Sequence, residues 1–177
     1  MASTKILIAG FGGQGILFSG KAIAYTGLKA NKEVSWLPSY GPEMRGGTAN
    51  CSVIISDEPV GSPIVEKPDV LIAMNLPSLE KYYNETVKDG YVIYDSSIIS
   101  KQDTRDDVIT IGIPATKLAS DNELNGLANI IILGKVLKET KIFTLEQIIS
   151  SLSQMVPAKK AALLEKNIKA IELGYNY

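Results

Sequence analysis

The residues with the clearest chemical potential are a run of glycines near the N-terminus, Gly10-Phe11-Gly12-Gly13-Gln14-Gly15. The run satisfies the pattern G-x-G-x-x-G and follows the apolar segment 5–9 (KILIA). In such a turn the glycines let the backbone approach a phosphate closely, and the start of the following helix carries a partial positive charge. The same glycines could simply bring the first helix close to the sheet, so both interpretations stay open.

An NAD site is not favoured by the residues that follow the glycine run. NAD-binding turns are paired with an acidic residue roughly 20 positions further on, at the end of the second strand, which holds the ribose. Here the second strand is expected over 34–37 and is stopped by Pro38, whereas Glu33 precedes it. We therefore expect another phosphate-bearing ligand or a protein contact.

A second segment with chemical potential is 38–48 (PSYGPEMRGGT). It contains Arg45, one of only two arginines in the chain. In a doubly wound sheet, loops that leave the carboxyl ends of strands share one edge with the first glycine turn. The planar guanidinium of Arg45 suits a phosphate or a carboxylate. An ion pair with Glu43 or another nearby carboxylate is an equally good explanation.

Composition excludes several classes of site. The 177-residue chain has no histidine, so it can form no Ser-His-Asp unit and supplies no imidazole metal ligand. A single cysteine, Cys51, allows neither an intrachain disulfide nor a four-thiolate cluster, and we expect it to be buried and inert. The net charge of −1 argues against nucleic-acid binding. The apolar run 5–9 is too short for a membrane span, and we expect a soluble cytoplasmic protein.

Strands and helices must position these residues, and their periodicity predicts the fold class. Strands are expected over 5–9, 34–37, 48–56, 69–74, 90–94 and 108–113. Helices are expected over 16–30, 77–87 and 122–139. A fourth helix is expected to begin at a capping box formed by Thr144 and Gln147, and a fifth to run from Pro157 to near Gly174. The prediction is one α/β domain over 1–177, with a Rossmann-like, mostly parallel sheet and a helical C-terminal third. The helix over 122–139 is apolar on nearly every side, which indicates that another subunit covers its second face.

Together, GFGGQG and the run PSYGPEMRGGTANCSVIISDEPVGSP resemble the gamma subunit of 2-oxoacid:ferredoxin oxidoreductases. The likeness is greatest to the 2-oxoglutarate and branched-chain 2-oxoacid (ketoisovalerate) types, while the indolepyruvate type fits less well. It is strong over 5–75 and looser beyond. The resemblance implies a complex that decarboxylates a 2-oxoacid on thiamine diphosphate, transfers electrons through iron–sulfur clusters to ferredoxin, and passes the acyl group to coenzyme A.

The resemblance also implies a division of labour among subunits. Partner subunits would hold thiamine diphosphate and the clusters, and this chain, with no redox centre, no metal and no catalytic residue of its own, would help to bind coenzyme A. The candidate binding residues form two loops: Gly10, Gly12, Gly13, Gln14 and Gly15 in the first, and Tyr40, Gly41, Glu43, Arg45, Gly46, Gly47 and Thr48 in the second. Backbone N–H groups and Arg45 would face the phosphates, with Gln14 and Tyr40 shaping the pocket. The alternatives are a free-standing Rossmann-type nucleotide-binding oxidoreductase and a purely structural interaction module.

Overall fold

A computed structural model describes residues 3–39, 48–100 and 105–177. These ranges contain a six-stranded sheet in the order β2-β3-β1-β4-β5-β6. The strands are β1 (Ser3–Phe11), β2 (Glu33–Ser39), β3 (Thr48–Ser56), β4 (Val70–Ala73), β5 (Tyr91–Asp95) and β6 (Ile109–Ile113). Strands β1, β4, β5 and β6 pair in parallel, whereas β3 pairs antiparallel with both β1 and β2. The predicted mostly parallel, Rossmann-like sheet is therefore confirmed, with β3 as its reversed strand.

Six α-helices accompany the sheet in the described ranges. They are α1 (Ile16–Lys29), α2 (Leu76–Tyr82), α3 (Ala115–Asp121), α4 (Ala128–Thr140), α5 (Leu145–Met155) and α6 (Ala161–Asn176). A 3₁₀ turn, Tyr83–Glu85, extends α2, and another, Ala158–Lys160, precedes α6. The capping box at Thr144 and Gln147 is present at the start of α5.

The main differences from the sequence prediction are two element boundaries and one additional helix. Strand β2 continues through Pro38 to Ser39, because β2 lies at the edge of the sheet, where a missing N–H is tolerated. The helix expected from 122 begins at Ala128, since Glu123 and Gly126 have positive φ angles of 58° and 84° and form a turn. Helix α3 was not predicted from the sequence.

Helix α3 is fixed by a contact from a distant strand. Asp95 ends β5, is fully buried, and accepts a hydrogen bond from the backbone N–H of Thr116 at 3.1 Å. The same carboxylate accepts from the N–H of Ser97 at 3.0 Å. Asp95 therefore caps both the segment after its own strand and the first turn of α3.

The apolar helix α4 is enclosed by its own chain, so the expectation that another subunit covers its second face is wrong. Residues Ile130–Leu133 are at most 1% exposed, packed in one cluster that contains β-strand residues and Ile171 of α6. The two helices approach at their backbones, because a Cβ at Gly174 would meet the carbonyl of Ile131, and one at Gly134 would meet the carbonyl of Ile171. The close approach of α4 and α6 is possible because Gly134 and Gly174 carry no side chain.

Two hydrophobic clusters lie on the two faces of the sheet. The larger contains α1, α4, α5 and α6 side chains, and the smaller packs beneath α2 around Leu71, Leu79 and Val92. No helix in the described ranges is both long and apolar enough to cross a membrane.

Candidate functional site

The glycine turn lies between β1 and α1, as the sequence predicts. Gly13 and Gly15 have φ angles of +89° and +74°, conformations that favour glycine. Gly15 is the N-cap of α1 and offers no side-chain cap to the helix. The turn thus presents an uncapped helix N-terminus at the carboxyl edge of the parallel strands, where α/β folds bind ligands.

The glycines of the turn divide into two structural roles. A Cβ at Gly10 would lie 2.6 Å from Gln14 Oε1 and 2.8 Å from Met74 Cβ, and a Cβ at Gly15 would meet the amide of Asn129. Both of these positions need glycine for close packing. Gly12 and Gly13 are exposed instead, and no atom lies within 4 Å of a Cβ built at Gly13.

Gln14 holds the turn against the end of the neighbouring strand. Its Oε1 accepts from the N–H of Phe11 at 2.6 Å, and its Nε2 donates to the carbonyl of Met74 at 2.9 Å. Met74 directly follows β4. Because both polar ends of Gln14 bond within the chain, this side chain fixes the shape of the turn.

Asn129, in the first turn of α4, holds the other end of the turn and was missed by the sequence analysis. Its Nδ2 donates to the carbonyl of Gly15 at 3.1 Å and to Ser19 Oγ at 3.0 Å. The residue is 6% exposed, and its Oδ1 has no hydrogen-bond partner in the described part of the chain. A polar residue just before a run of isoleucines is the one sequence signal that could have pointed to it.

The second predicted loop adjoins the first. Tyr40, Gly41, Glu43, Arg45, Gly46 and Gly47 lie outside the described residues. The chain enters this segment after Ser39 and leaves it at Thr48, whose backbone pairs with Phe11 of β1. The register therefore brings the end of the second loop directly beside the start of the glycine turn, as the strand-edge argument predicts.

A cleft of about 340 Å³ opens beside the glycine turn on the α1 face of the sheet. Its walls come from the starts of α1, α4 and α6 and the end of α5, and they include Gly13, Gly15, Phe18, Leu127, Asn129, Met155, Lys160, Leu163 and Asn167. A larger groove of about 670 Å³ lies on the opposite face, near Leu37, Asn50 and Tyr82, and its lining carries both acidic and basic side chains. The smaller cleft adjoins the glycine turn through Gly13 and Gly15, whereas the larger groove is lined by Ser39 and Asn50, close to the two ends of the second loop.

The single cysteine is inert in this environment. Cys51 is fully buried, and burial raises the pKa of its thiol to about 12, partly offset by a hydrogen bond from the Trp36 side chain. The thiol therefore stays protonated near neutral pH, which opposes nucleophilic or thiolate chemistry. Within the described ranges no group of three or more histidine, cysteine, aspartate or glutamate residues is placed to hold a metal ion.

Fold and turn together define a Rossmann-like α/β protein with a glycine turn suited to phosphate at the carboxyl edge of its sheet. The chain belongs to the pyruvate ferredoxin/flavodoxin oxidoreductase family, whose model matches residues 5–177. The resemblance that the two loops indicated is thereby confirmed at the level of the family.

Two relatives of known role are similar over nearly the whole chain. The ketoisovalerate oxidoreductase subunit VorA of Methanothermobacter thermautotrophicus is 36% identical over 170 residues, which cover 96% of this chain and 35% of VorA. This chain thus spans about a third of that relative's length. The 2-oxoglutarate synthase subunit KorC of Methanocaldococcus jannaschii is 36% identical over 174 residues, which cover 97% of this chain and 91% of KorC. Both relatives are subunits of enzymes, in agreement with the predicted subunit role.

Two solved structures share the fold. The gamma subunit of a keto/oxoacid ferredoxin oxidoreductase from Geobacter sulfurreducens superposes with a TM-score of 0.84 at 27% identity, covering 98% of this chain and 96% of that one. The 2-oxoglutarate:ferredoxin oxidoreductase of Magnetococcus marinus, solved with 2-oxoglutarate, coenzyme A and succinyl-CoA bound, superposes with a TM-score of 0.87 at 24% identity, covering 99% of this chain and 31% of that one. The second likeness concerns the fold alone.

Proposed function

We propose that this chain is the gamma subunit of a 2-oxoacid:ferredoxin oxidoreductase complex. The complex would convert a 2-oxoacid to acyl-CoA and CO₂ while reducing ferredoxin, with 2-oxoglutarate favoured and a branched-chain 2-oxoacid next. The observation that carries the proposal is the 36% identity to KorC over 97% of this chain and 91% of KorC. Similar identity to VorA keeps the branched-chain substrate in second place.

In this proposal the chain supports the reaction without holding a redox centre. Its sequence contains no histidine and only one cysteine, which is buried with a raised pKa. Thiamine diphosphate and the iron–sulfur clusters belong to partner subunits, which also pass electrons to ferredoxin. Residues 1–177 form one gamma-type domain that packs on those partners, in the cytoplasm.

The chain's own contribution is to help hold coenzyme A at the glycine turn. Gly12 and Gly13 are exposed, and the α1 N-terminus behind them has neither a capping side chain nor an acidic residue in its first turn. Backbone N–H groups and the helix dipole would stabilise a phosphate there. Arg45 and the other residues of the second loop, which ends at Thr48 beside Phe11, would complete the site.

Two experiments test the proposal. Native purification of the chain with mass spectrometry of co-purifying proteins should recover a thiamine-diphosphate-binding subunit and a cysteine-rich, ferredoxin-like subunit. The complex should then reduce ferredoxin when given 2-oxoglutarate and coenzyme A. Recovery of the chain alone, under conditions that preserve other complexes, would favour a free-standing nucleotide-binding oxidoreductase.

The coenzyme A role is tested separately, in the assembled complex. Gly13→Ala adds a methyl group in open space at the turn, and we expect it to raise the KM for coenzyme A with little change in the KM for the 2-oxoacid. Gly126→Ala is the matched control, because Gly126 has a similar φ of +84°, a Cβ there also meets no atom within 4 Å, and Gly126 is not in the turn. An unchanged coenzyme A KM for both Gly13→Ala and Arg45→Ala would support the purely structural module instead.

A further inference from the structure

The larger groove, on the α2 face of the sheet, continues directly from the glycine turn. Alternate residues of a strand lie on one face, so Leu7, Ala9 and Phe11 of β1 all lie on the α2 face. Phe11 pairs with Thr48 at the turn, and two residues further along the sheet Ala9 pairs with Asn50, which lines the groove. Two strand residues span about 7 Å, so the groove begins one such step from the turn. The side chain of Phe11, which is 42% exposed, lies on this path.

Two hydrogen bonds fix the walls of the groove to its floor. Ser52 Oγ of β3 accepts from the N–H of Val65 at 3.3 Å, which holds the segment 64–67 as one wall. Asn50 Nδ2 of β3 donates to the hydroxyl of Tyr82 at 3.2 Å, which holds the end of α2 as another wall. The volume of about 670 Å³ lies within the roughly 300–1,000 Å³ typical of small-molecule sites. The groove is therefore a formed part of the fold and is large enough for a nucleotide.

Apolar side chains are left exposed along the groove. Leu37 of β2 is 37% exposed and Ile64 is 60% exposed. Apolar surface with a few neutral polar groups is typical of small-molecule sites, and Ser39 and Asn50 supply such groups here. An adenine ring has flat faces for the apolar side chains and a polar edge for the hydroxyl and the amide.

Charges of both signs line the groove as well. Lys67 and Lys81 contribute ammonium groups, and neither has a carboxylate within 4.0 Å among the described residues. The ammonium group of Lys81 lies 5.0 Å from the centre of the Tyr82 ring, which stabilises its position at the wall. Glu66 and Glu85 contribute carboxylates. A phosphate suits the lysines, whereas a ribose hydroxyl or an exocyclic amine suits a carboxylate.

We propose that this groove binds the adenosine 3′-phosphate end of coenzyme A, an inference that rests on the proposed function. The diphosphate lies at the glycine turn, the adenosine extends past Phe11 into the groove, and Lys67 and Lys81 bind the 3′-phosphate. The opposite end of coenzyme A carries the thiol, which must reach thiamine diphosphate in a partner subunit. The groove of this chain therefore suits the unreactive end, and its lysines select coenzyme A by the 3′-phosphate.

The test compares coenzyme A with 3′-dephospho-coenzyme A, which lacks only that phosphate. In calorimetric titrations of the purified complex, we expect dephospho-coenzyme A to bind about tenfold more weakly, the effect of one lost charge-assisted hydrogen bond. Combining Lys67→Gln with Lys81→Gln should weaken coenzyme A binding by about tenfold and leave dephospho-coenzyme A binding little changed. Lys88→Gln is the matched control, because Lys88 is exposed and does not line the groove.

A variant at the edge of the groove tests the position of the phosphate without disturbing the core. Ile64 is 60% exposed, so Ile64→Asp should leave the melting temperature of the chain unchanged. The new carboxylate repels the 3′-phosphate and should weaken coenzyme A binding more than dephospho-coenzyme A binding. Leu28→Asp is the control, because Leu28 is 58% exposed and lies near the end of α1, away from the groove.

Two results would overturn this inference while leaving the proposed function intact. One is equal affinity of the unmodified complex for coenzyme A and dephospho-coenzyme A. The other is full discrimination between the two in the double lysine variant, with coenzyme A-dependent ferredoxin reduction retained, which would place the 3′-phosphate on another subunit. A complex that binds no coenzyme A would instead contradict the proposed function, and this inference with it.

Discussion

Replacing Gly15 with alanine perturbs the point where the glycine turn, α1 and α4 meet. Gly15 has a φ angle of +74°, and a Cβ there would collide with the amide of Asn129. That amide donates to the carbonyl of Gly15 and to Ser19 Oγ. The new methyl group must therefore displace Asn129 and break both hydrogen bonds, or the turn itself must change shape.

The expected cost can be divided into two parts. A left-handed conformation costs a non-glycine residue about 1–2 kcal/mol. Each lost hydrogen bond from Asn129 adds about 1 kcal/mol. Gly15→Ala should therefore lower the free energy of unfolding by about 3–4 kcal/mol, or the melting temperature by about 6–15 °C for a chain of this size. Gly13→Ala should lose only the about 1–2 kcal/mol of the left-handed conformation, because Gly13 has a φ of +89° but no neighbour within 4 Å of its Cβ position.

Thermal unfolding of the purified chain, followed by circular dichroism, measures this difference. Gly61→Ala serves as the control, because it has an open Cβ position and no positive φ. A double-mutant cycle with Asn129→Ala isolates the contact, since Gly15→Ala should lose its second part once Asn129 is truncated. Equal losses of stability for Gly13→Ala and Gly15→Ala would refute the role assigned to Asn129.

Two further predictions concern the core. Cys51 should react very slowly with iodoacetamide at pH 8.5 in the folded chain and rapidly after unfolding, because burial raises the pKa of its thiol from 9.0 to about 12. Its contribution to stability is complete below pH 9 and is lost as pH rises toward 12, since the unfolded thiol ionises first; rapid alkylation of the folded chain would contradict this. Gly174→Ala should force α6 away from the Ile131 carbonyl of α4 and lower the urea midpoint far more than Glu172→Ala on the exposed side of α6. Similar midpoints for the two variants would show that the helices can separate without cost.

The strands were predictable from their local hydrophobic pattern, and the adjacency of the two loops from the general rule for loops at the carboxyl ends of strands. Short continuous apolar runs such as 5–9 and 69–74 are typical of strands buried on both faces. Loops at the carboxyl ends of strands share one edge of the sheet, so the glycine turn and the second loop are expected to be neighbours. The pairing of Thr48 with Phe11 confirms this for the end of the second loop.

Features that depend on distant contacts were not predictable. Helix α3 has only seven residues, and its first turn is capped by Asp95 at the end of β5. The enclosure of α4 requires α6 to approach at Gly134 and Gly174, which the apolar pattern of α4 alone does not reveal. An all-round apolar helix indicates that something covers it, but not whether the cover belongs to the same chain.

The two interpretations of the glycine run, ligand approach and close packing, apply to different residues of it. Gly10 and Gly15 are held against Gln14, Met74 and Asn129, so a substitution there changes the fold of the turn before it can report on a ligand. Gly12 and Gly13 face solvent, so a substitution there changes the surface that a phosphate would meet, and Gly13→Ala adds backbone strain at a φ of +89° without displacing a neighbouring side chain. A loss of coenzyme A use by a Gly10 or Gly15 variant would therefore say nothing about binding. Only the exposed pair can separate a binding turn from a packing turn.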